Sequence, residues 1–191
     1  SSYAICLVLA AAGIHAGWNL LAKRSGGAVV FVWLFSVAAV IFYAPAALWI
    51  LVVERPHIGA VELISLGGTA LLHTPYFVIL LRGYRMGDLS LVYSLARSTG
   101  PLLATIGAIY LLGERPTAAA LFGGCLILLG AVVLTWNDQR SSRTSAAVRY
   151  GLLIGLLIAT YTLWDKFAVS RLHLPPLLVD YGSNLGRVLL L

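Results

Sequence analysis

Charge is what this chain lacks most. Of its 191 residues only 10% are charged, whereas 60% are hydrophobic, and soluble domains carry about 25% charged residues. A water-soluble globule of this size has too little core to hide so much apolar surface. The remainder must face a second apolar medium, and a bilayer is the only one extensive enough. Cysteine is scarce as well. Cys6 and Cys125 are the only two, both inside apolar runs, so a disulfide framework and a thiolate metal site are excluded. The chain also lacks H-E-x-x-H, G-x-S-x-G, a P-loop and G-x-G-x-x-G, and no enzyme activity, cofactor or metal is expected. Its formal charge of +6 comes from thirteen Lys and Arg set singly or in pairs between hydrophobic runs. That pattern belongs to membrane topology rather than to a nucleic-acid surface.

What the chain has in abundance is long apolar stretches. A span needs roughly 20 residues to cross the hydrocarbon, and runs of that order occupy residues 3–22, 28–53, 61–81, 89–112, 117–136 and 149–169, with a seventh starting near Leu174. The first run has no basic leader and the length of a full span, so it reads as retained rather than as a cleaved signal. Short turns rich in Gly, Pro and charge separate the runs, including Glu54 to His57, Arg82 to Asp88 and Gly113 to Pro116. Asp88 is predicted to cap the fourth helix, and Pro116 to open the fifth. Turns this short force successive spans to cross in alternating directions. The fold class expected is an all-α polytopic membrane bundle.

One longer polar stretch, residues 137–147, divides the chain into a five-span unit over 1–136 and the start of a second unit over 148–191. The second start echoes the first. Trp18 and Asn19 align with Trp164 and Asp165 at an offset of 146 residues. Five spans is an odd number, so a second copy enters the membrane inverted. On this offset Leu191 falls inside the second helix of the second unit, and a complete protein of about ten spans is expected.

Polar residues inside spans are costly, at about 2.5–3.5 kcal/mol for a central Arg or Asp, so each needs a reason. Arg97 shares a narrow helical face with Tyr93, Gly100 and Pro101. It either binds an anionic head group or ties helices together and snorkels. His15, Trp18 and Asn19 form a polar aromatic stripe in the first span, and Tyr161, Trp164 and Asp165 form another in the sixth. Such stripes line a cavity between repeats or mark the headgroup level. The third span adds Thr69, His73 and Tyr76 beside Pro75. A buried carboxylate or imidazole can release protons near neutral pH, so Asp165, His15 and His73 are candidates to couple movement to a proton, with structural bonding the alternative for each. Gly13 with Gly17, and Gly151 with Gly155, have the spacing of close helix contacts. Glu114 and Arg115 read as a solvated cap.

Met86-Gly87-Asp88-Leu89-Ser90, Pro101, the turn Gly113-Glu114-Arg115-Pro116, and Gly123, Gly124 and Gly130 together resemble the EamA-type domain of the drug/metabolite transporter superfamily. The resemblance extends over residues 3–191 and is most specific from Asp88 to Gly130. It implies two inverted five-helix repeats around a central cavity open alternately to each side, in the bacterial inner membrane. The function expected is a permease or exporter that moves a small polar or anionic metabolite by alternating access, lined by the first, third, fourth and sixth spans. The expected partners are a small solute, membrane lipid and a coupling proton, with no nucleic acid. The alternative is a non-transporting scaffold or receptor subunit whose polar stripes are packing glue. Orientation stays open. Loops after the first, third and fifth spans hold seven Lys and Arg and the others four, which places the N-terminus outside, whereas the resemblance implies a cytoplasmic one.

Overall fold

The computed structural model describes residues 2–25, 29–136 and 142–191. Among these residues the chain forms seven α-helices and no strand: α1 (Ser2–Arg24), α2 (Val29–Trp49, continued by a π-helical turn over Ile50–Glu54), α3 (Ala60–Met86), α4 (Leu89–Leu112), α5 (Ala118–Trp136), α6 (Ser142–Ser170) and α7 (Pro176–Leu190). Each predicted span coincides with one helix. Five are long and apolar enough to cross a membrane, while the described apolar part of α5 is shorter, Ala118–Gly130, and α7 has 15 residues. Large side chains such as Ile14, Phe42 and Leu126 are 75%, 78% and 52% exposed, as expected of helices whose outer faces meet lipid. The bundle is an integral membrane protein.

Contacts along paired helices fix their directions. Gly151 lies against Leu95, Gly155 against Thr99, Ile158 against Gly100 and Leu163 against Gly107. Both numbers rise together, so α4 and α6 run parallel, with α5 returning between them. On α3 the order reverses: Gly83 meets Tyr150 and Ile154, Gly87 meets Ala147, and Trp164 reaches back to Ser65. Thus α6 is antiparallel to α3 and, by the alternation of short turns, to α1, which is the orientation an inverted second unit requires. α7 packs on α2 and α3, with Leu66 against Gly182 and Ala70 against Gly186.

Glycine sets the tightest of these interfaces. A Cβ at Gly100 would stand 2.7 Å from Ile158 Cγ2 and 3.4 Å from the Gly155 carbonyl oxygen, so neither backbone could approach as it does with larger residues. The spacing predicted to make contact at Gly151 and Gly155 does so. At Gly13 and Gly17 nothing among the described residues lies within 4 Å of an added Cβ. α1 instead packs through Trp18, Asn19 and Ala22, which points its glycine face outward.

Three local expectations change. Asp88 occupies the N-cap position of α4, yet its side chain makes no capping bond. Its carbonyl simply accepts from Val92 N at 2.9 Å. α5 starts at Ala118, two residues after Pro116, and Thr117 Oγ1 accepts from Ala120 N at 3.3 Å, so threonine rather than proline forms the cap. Of the polar stretch 137–147, residues 137–141 lie outside the described residues, while α6 already begins at Ser142. The second half of that stretch is therefore helix. Ala147 within it is fully buried against Gly87.

Overpacking a filled site costs about 1–3 kcal/mol. Gly100→Val is expected to lower the thermal unfolding temperature of the detergent-solubilised protein by that equivalent. Gly17→Ala, made where space is open, is expected to leave it unchanged or slightly raised.

Candidate functional site

Two polar groups lie in the bundle interior at different depths. The first gathers around Arg97 on α4. Its Nη2 donates to Nε2 of His15 on α1. Because a guanidinium can only donate, the imidazole accepts there and carries its proton on Nδ1. The guanidinium carbon stands 5.5 Å from the centre of the Tyr93 ring, a cation–π distance. Pro101 lacks an N–H, so the Arg97 carbonyl loses its helical donor. Among the described residues no carboxylate lies within ion-pair distance of Arg97.

Trp18 continues this group from α1. It stacks on His15 at 6.4 Å and meets Phe31, Phe35 and Phe77 at 6.2, 5.7 and 5.7 Å. Its Nε1 is buried and has no acceptor among the described residues. Asn19, one residue on, takes the hydroxyl of Tyr84 on α3 at 2.6 Å and donates to the His15 carbonyl at 2.7 Å. Its oxygen thus ties α1 to α3, and its nitrogen is spent on α1 itself.

The second group centres on Asp165 of α6. Thr69 Oγ1 donates to Oδ1 at 2.8 Å, and His73 Nε2 meets Oδ2 at 2.9 Å. A carboxylate only accepts, so His73 donates from Nε2. The His73 ring lies 4.1 Å from that of Tyr161, which lies 5.1 Å from that of Tyr76. This aromatic pair joins the two groups. Asp165 and His73 also border an open cleft of about 480 Å³ shared with Lys166 and with Asp180 of α7.

Of the residues predicted from sequence, His15, Trp18, Tyr93 and Arg97 come together, as do His73, Tyr76, Tyr161 and Asp165. Trp164 stands apart. Its Nε1 donates to the Ser65 carbonyl at 2.8 Å, and its ring packs over Gly68, where only a residue without a side chain leaves room.

A second cleft of about 440 Å³ runs between α4, α6 and the start of α5, from Arg97 and Tyr161 to Glu114 and Lys166. Lys166 pairs with Glu114 across its end. Adjacent residues on a helix diverge by about 100°, so Asp165 turns to α3 and Lys166 to the turn after α4. Glu114 is therefore more than the solvated cap expected. The turn holds it in place because Gly113 adopts φ 72°, a region that favours glycine.

Sequence reasoning also missed Arg187, which is 2% exposed. It donates to Ser36 at 3.0 Å, Ser183 at 3.2 Å and Asn184 at 2.6 Å, with Phe77 beneath it at 4.4 Å. It bolts α7 to α2 and α3. Ser183 and Asn184 at i−4 and i−3 were the available signal, since they share its helical face.

Residues 2–136 match the family model described as the EamA-like transporter family. No curated protein and no solved structure gives a match.

Asp165→Ala would leave the hydroxyl of Thr69 and the imidazole of His73 without an acceptor, at about 1–3 kcal/mol. Asp165→Asn keeps an acceptor oxygen and is expected to cost less. Thermal unfolding of both variants in detergent checks the order.

Proposed function

We propose that this chain, which belongs to the EamA-like transporter family, moves a small anionic or zwitterionic metabolite across the membrane by alternating access, with Arg97 as the anion contact. The observation that carries the reading is the chemistry around Arg97. A guanidinium and the unpaired N–H of Trp18 are both donors, and among the described residues neither meets a carboxylate or carbonyl. A carboxylate, phosphate or phosphonate supplies the acceptors they lack. The cavity face then comprises His15, Trp18, Tyr76, Tyr93, Arg97 and Tyr161, while Asn19 and Trp164 hold helices in place around it.

His73 and Asp165 serve as the coupling pair on this reading. A proton taken up by Asp165 turns one acceptor oxygen into a donor, which weakens the His73 bond and loosens α3 from α6. Tyr161, Lys166 and Asp180 border the same pair. A scaffold without transport has no use for a donor cluster that lacks an acceptor. Its polar groups would all be spent on neighbouring helices.

Uptake into vesicles of alanine, succinate and inorganic phosphate tests both halves. Arg97→Gln is expected to weaken binding of the transported anion by about 10-fold or more, since a charged hydrogen bond contributes about 1.5–3 kcal/mol, and Arg97→Lys to recover part of it. A folded Arg97→Gln protein with unchanged affinity rejects the anion contact. Asp165→Asn and His73→Asn are expected to retain solute binding and to lose the response of uptake to a pH gradient.

A further inference from the structure

The cleft that starts at Arg97 ends at a second cation, and that cation already holds an anion. Lys166 pairs with Glu114 at the end remote from Arg97, with side chains 39% and 44% exposed. Between the two cations the wall carries the hydroxyls of Tyr161, Thr162 and Thr105. Arg97 is about 15 residues before the end of α4 and so roughly 22 Å from it along the axis. The ion pair therefore stands at the mouth of the cleft, and Arg97 stands inside it.

Helix geometry keeps the Lys166 ammonium out of the carboxylate next door. Asp165 is occupied by Thr69 and His73 on α3, about 100° around the helix. Glu114 sits in a turn rather than in a helix, fixed at one side by the left-handed Gly113 and by its own N–H on the Ala108 carbonyl at 3.1 Å. It is a carboxylate tethered beside a lysine at the opening of a path whose inner end is cationic. An entering anion meets the same ammonium with the same chemistry.

We infer that Lys166 is a docking residue for the anionic group of the solute at the mouth of the cleft, and that Glu114 is its built-in competitor. The inference rests on the anion reading given above. Glu114 occupies Lys166 while the cleft is empty. A solute carboxylate or phosphate displaces it, and Glu114 takes the ammonium back once the solute has passed to Arg97. Neutral and cationic solutes leave the pair closed, so the mouth selects by charge before Arg97 is reached. The alternative for such a pair is a strut joining α6 to the turn after α4, and the two roles differ in sign. For a competitor, removing Glu114 frees the lysine and removing Lys166 abolishes the site, so the two substitutions act in opposite directions. For a strut, both break one bond and act alike.

The experiment is equilibrium binding of radiolabelled succinate and inorganic phosphate to the full-length protein in nanodiscs, with choline as the cationic control. Glu114→Gln is expected to tighten anion binding about three-fold, and Lys166→Gln to weaken it about three-fold, the size of a half-exposed ion pair. The double substitution is expected to match Lys166→Gln alone, because the competitor has no effect without its target. Glu114→Ala should follow Glu114→Gln and stands in for it if that variant does not fold. Choline binding should be unaffected throughout. Single variants that shift together, or do not shift at all, make the pair a strut and overturn this inference. If they do so while Arg97→Gln still weakens anion binding, the anion reading survives. If Arg97→Gln binds as the unsubstituted protein does, or neither anion binds that protein, the anion reading falls and this inference with it.

Discussion

Polar atoms in a hydrocarbon slab must find partners on neighbouring helices, because lipid offers none. That constraint organises this bundle more than apolar packing does, since lipid tails are as apolar as the leucines they meet and give helices little reason to associate. α6 shows it most fully. Its Asp165 is claimed by Thr69 and His73 of α3, its Trp164 by a carbonyl of α3, and its Lys166 by the turn after α4. Along the rest of its length glycines let the backbone of α6 close on α4. The same rule draws α7 in, where Arg187 places three donors on α2 and on its own helix. Were any of these groups unpaired, its insertion cost would fall on the fold.

Against that background the exceptions stand out. Asn19, Tyr84, Thr69 and Arg187 are satisfied and buried. Their role is cohesion, and removing a partner from any of them should be felt in stability first. Arg97 and Trp18 are different, because their donors outnumber the acceptors around them. For Arg97, polar surplus of one sign at the inner end of an open cleft is what a binding face needs. It is also what a packing seam avoids, since an orphaned donor only costs a seam stability. The proposed carrier reading depends on this contrast and not on the number of polar residues in the spans.

Helix positions were legible in the sequence because the length of an apolar run and the span of a bilayer are the same quantity in two units. The seven predicted starts lie within a few residues of the helices, except at α6, where polar and small residues from Ser142 join the helix without contributing to its hydropathy. The clustering of His15 with Arg97 and of His73 with Asp165 was only half legible. Helical spacing assigns a residue to a face, but it does not say which helix that face meets, and both pairs bridge elements more than 80 residues apart. Glycine illustrates the same limit. Gly151 and Gly155 have the spacing of Gly13 and Gly17, yet only the first two meet a neighbour, because contact needs a partner as well as a gap. Glu114 was read as a cap for a similar reason. Its partner lies 52 residues further on, in a helix whose register with α4 no local pattern specifies.

The parallel register of α4 and α6 is what turns these separate contacts into a path. Had the two helices run antiparallel about the Gly100–Ile158 contact, Lys166 would stand near the level of the start of α4, far from Glu114. Running in the same direction, they carry Gly100 against Ile158, Tyr161 about one turn further along to near the level of Ala104, and Lys166 toward Glu114. The glycines at the lower contacts bring the backbones together, and beyond Pro101 the cleft opens with Thr105 and Thr162 on its walls. One interface therefore does two things along its length. On the carrier reading proposed above, its tight end supplies the rigidity that a movable half needs in order to swing as a body. Its open end leaves room for a solute without breaking that contact, so filling and emptying the cleft need not disturb the packing that holds α6 in place.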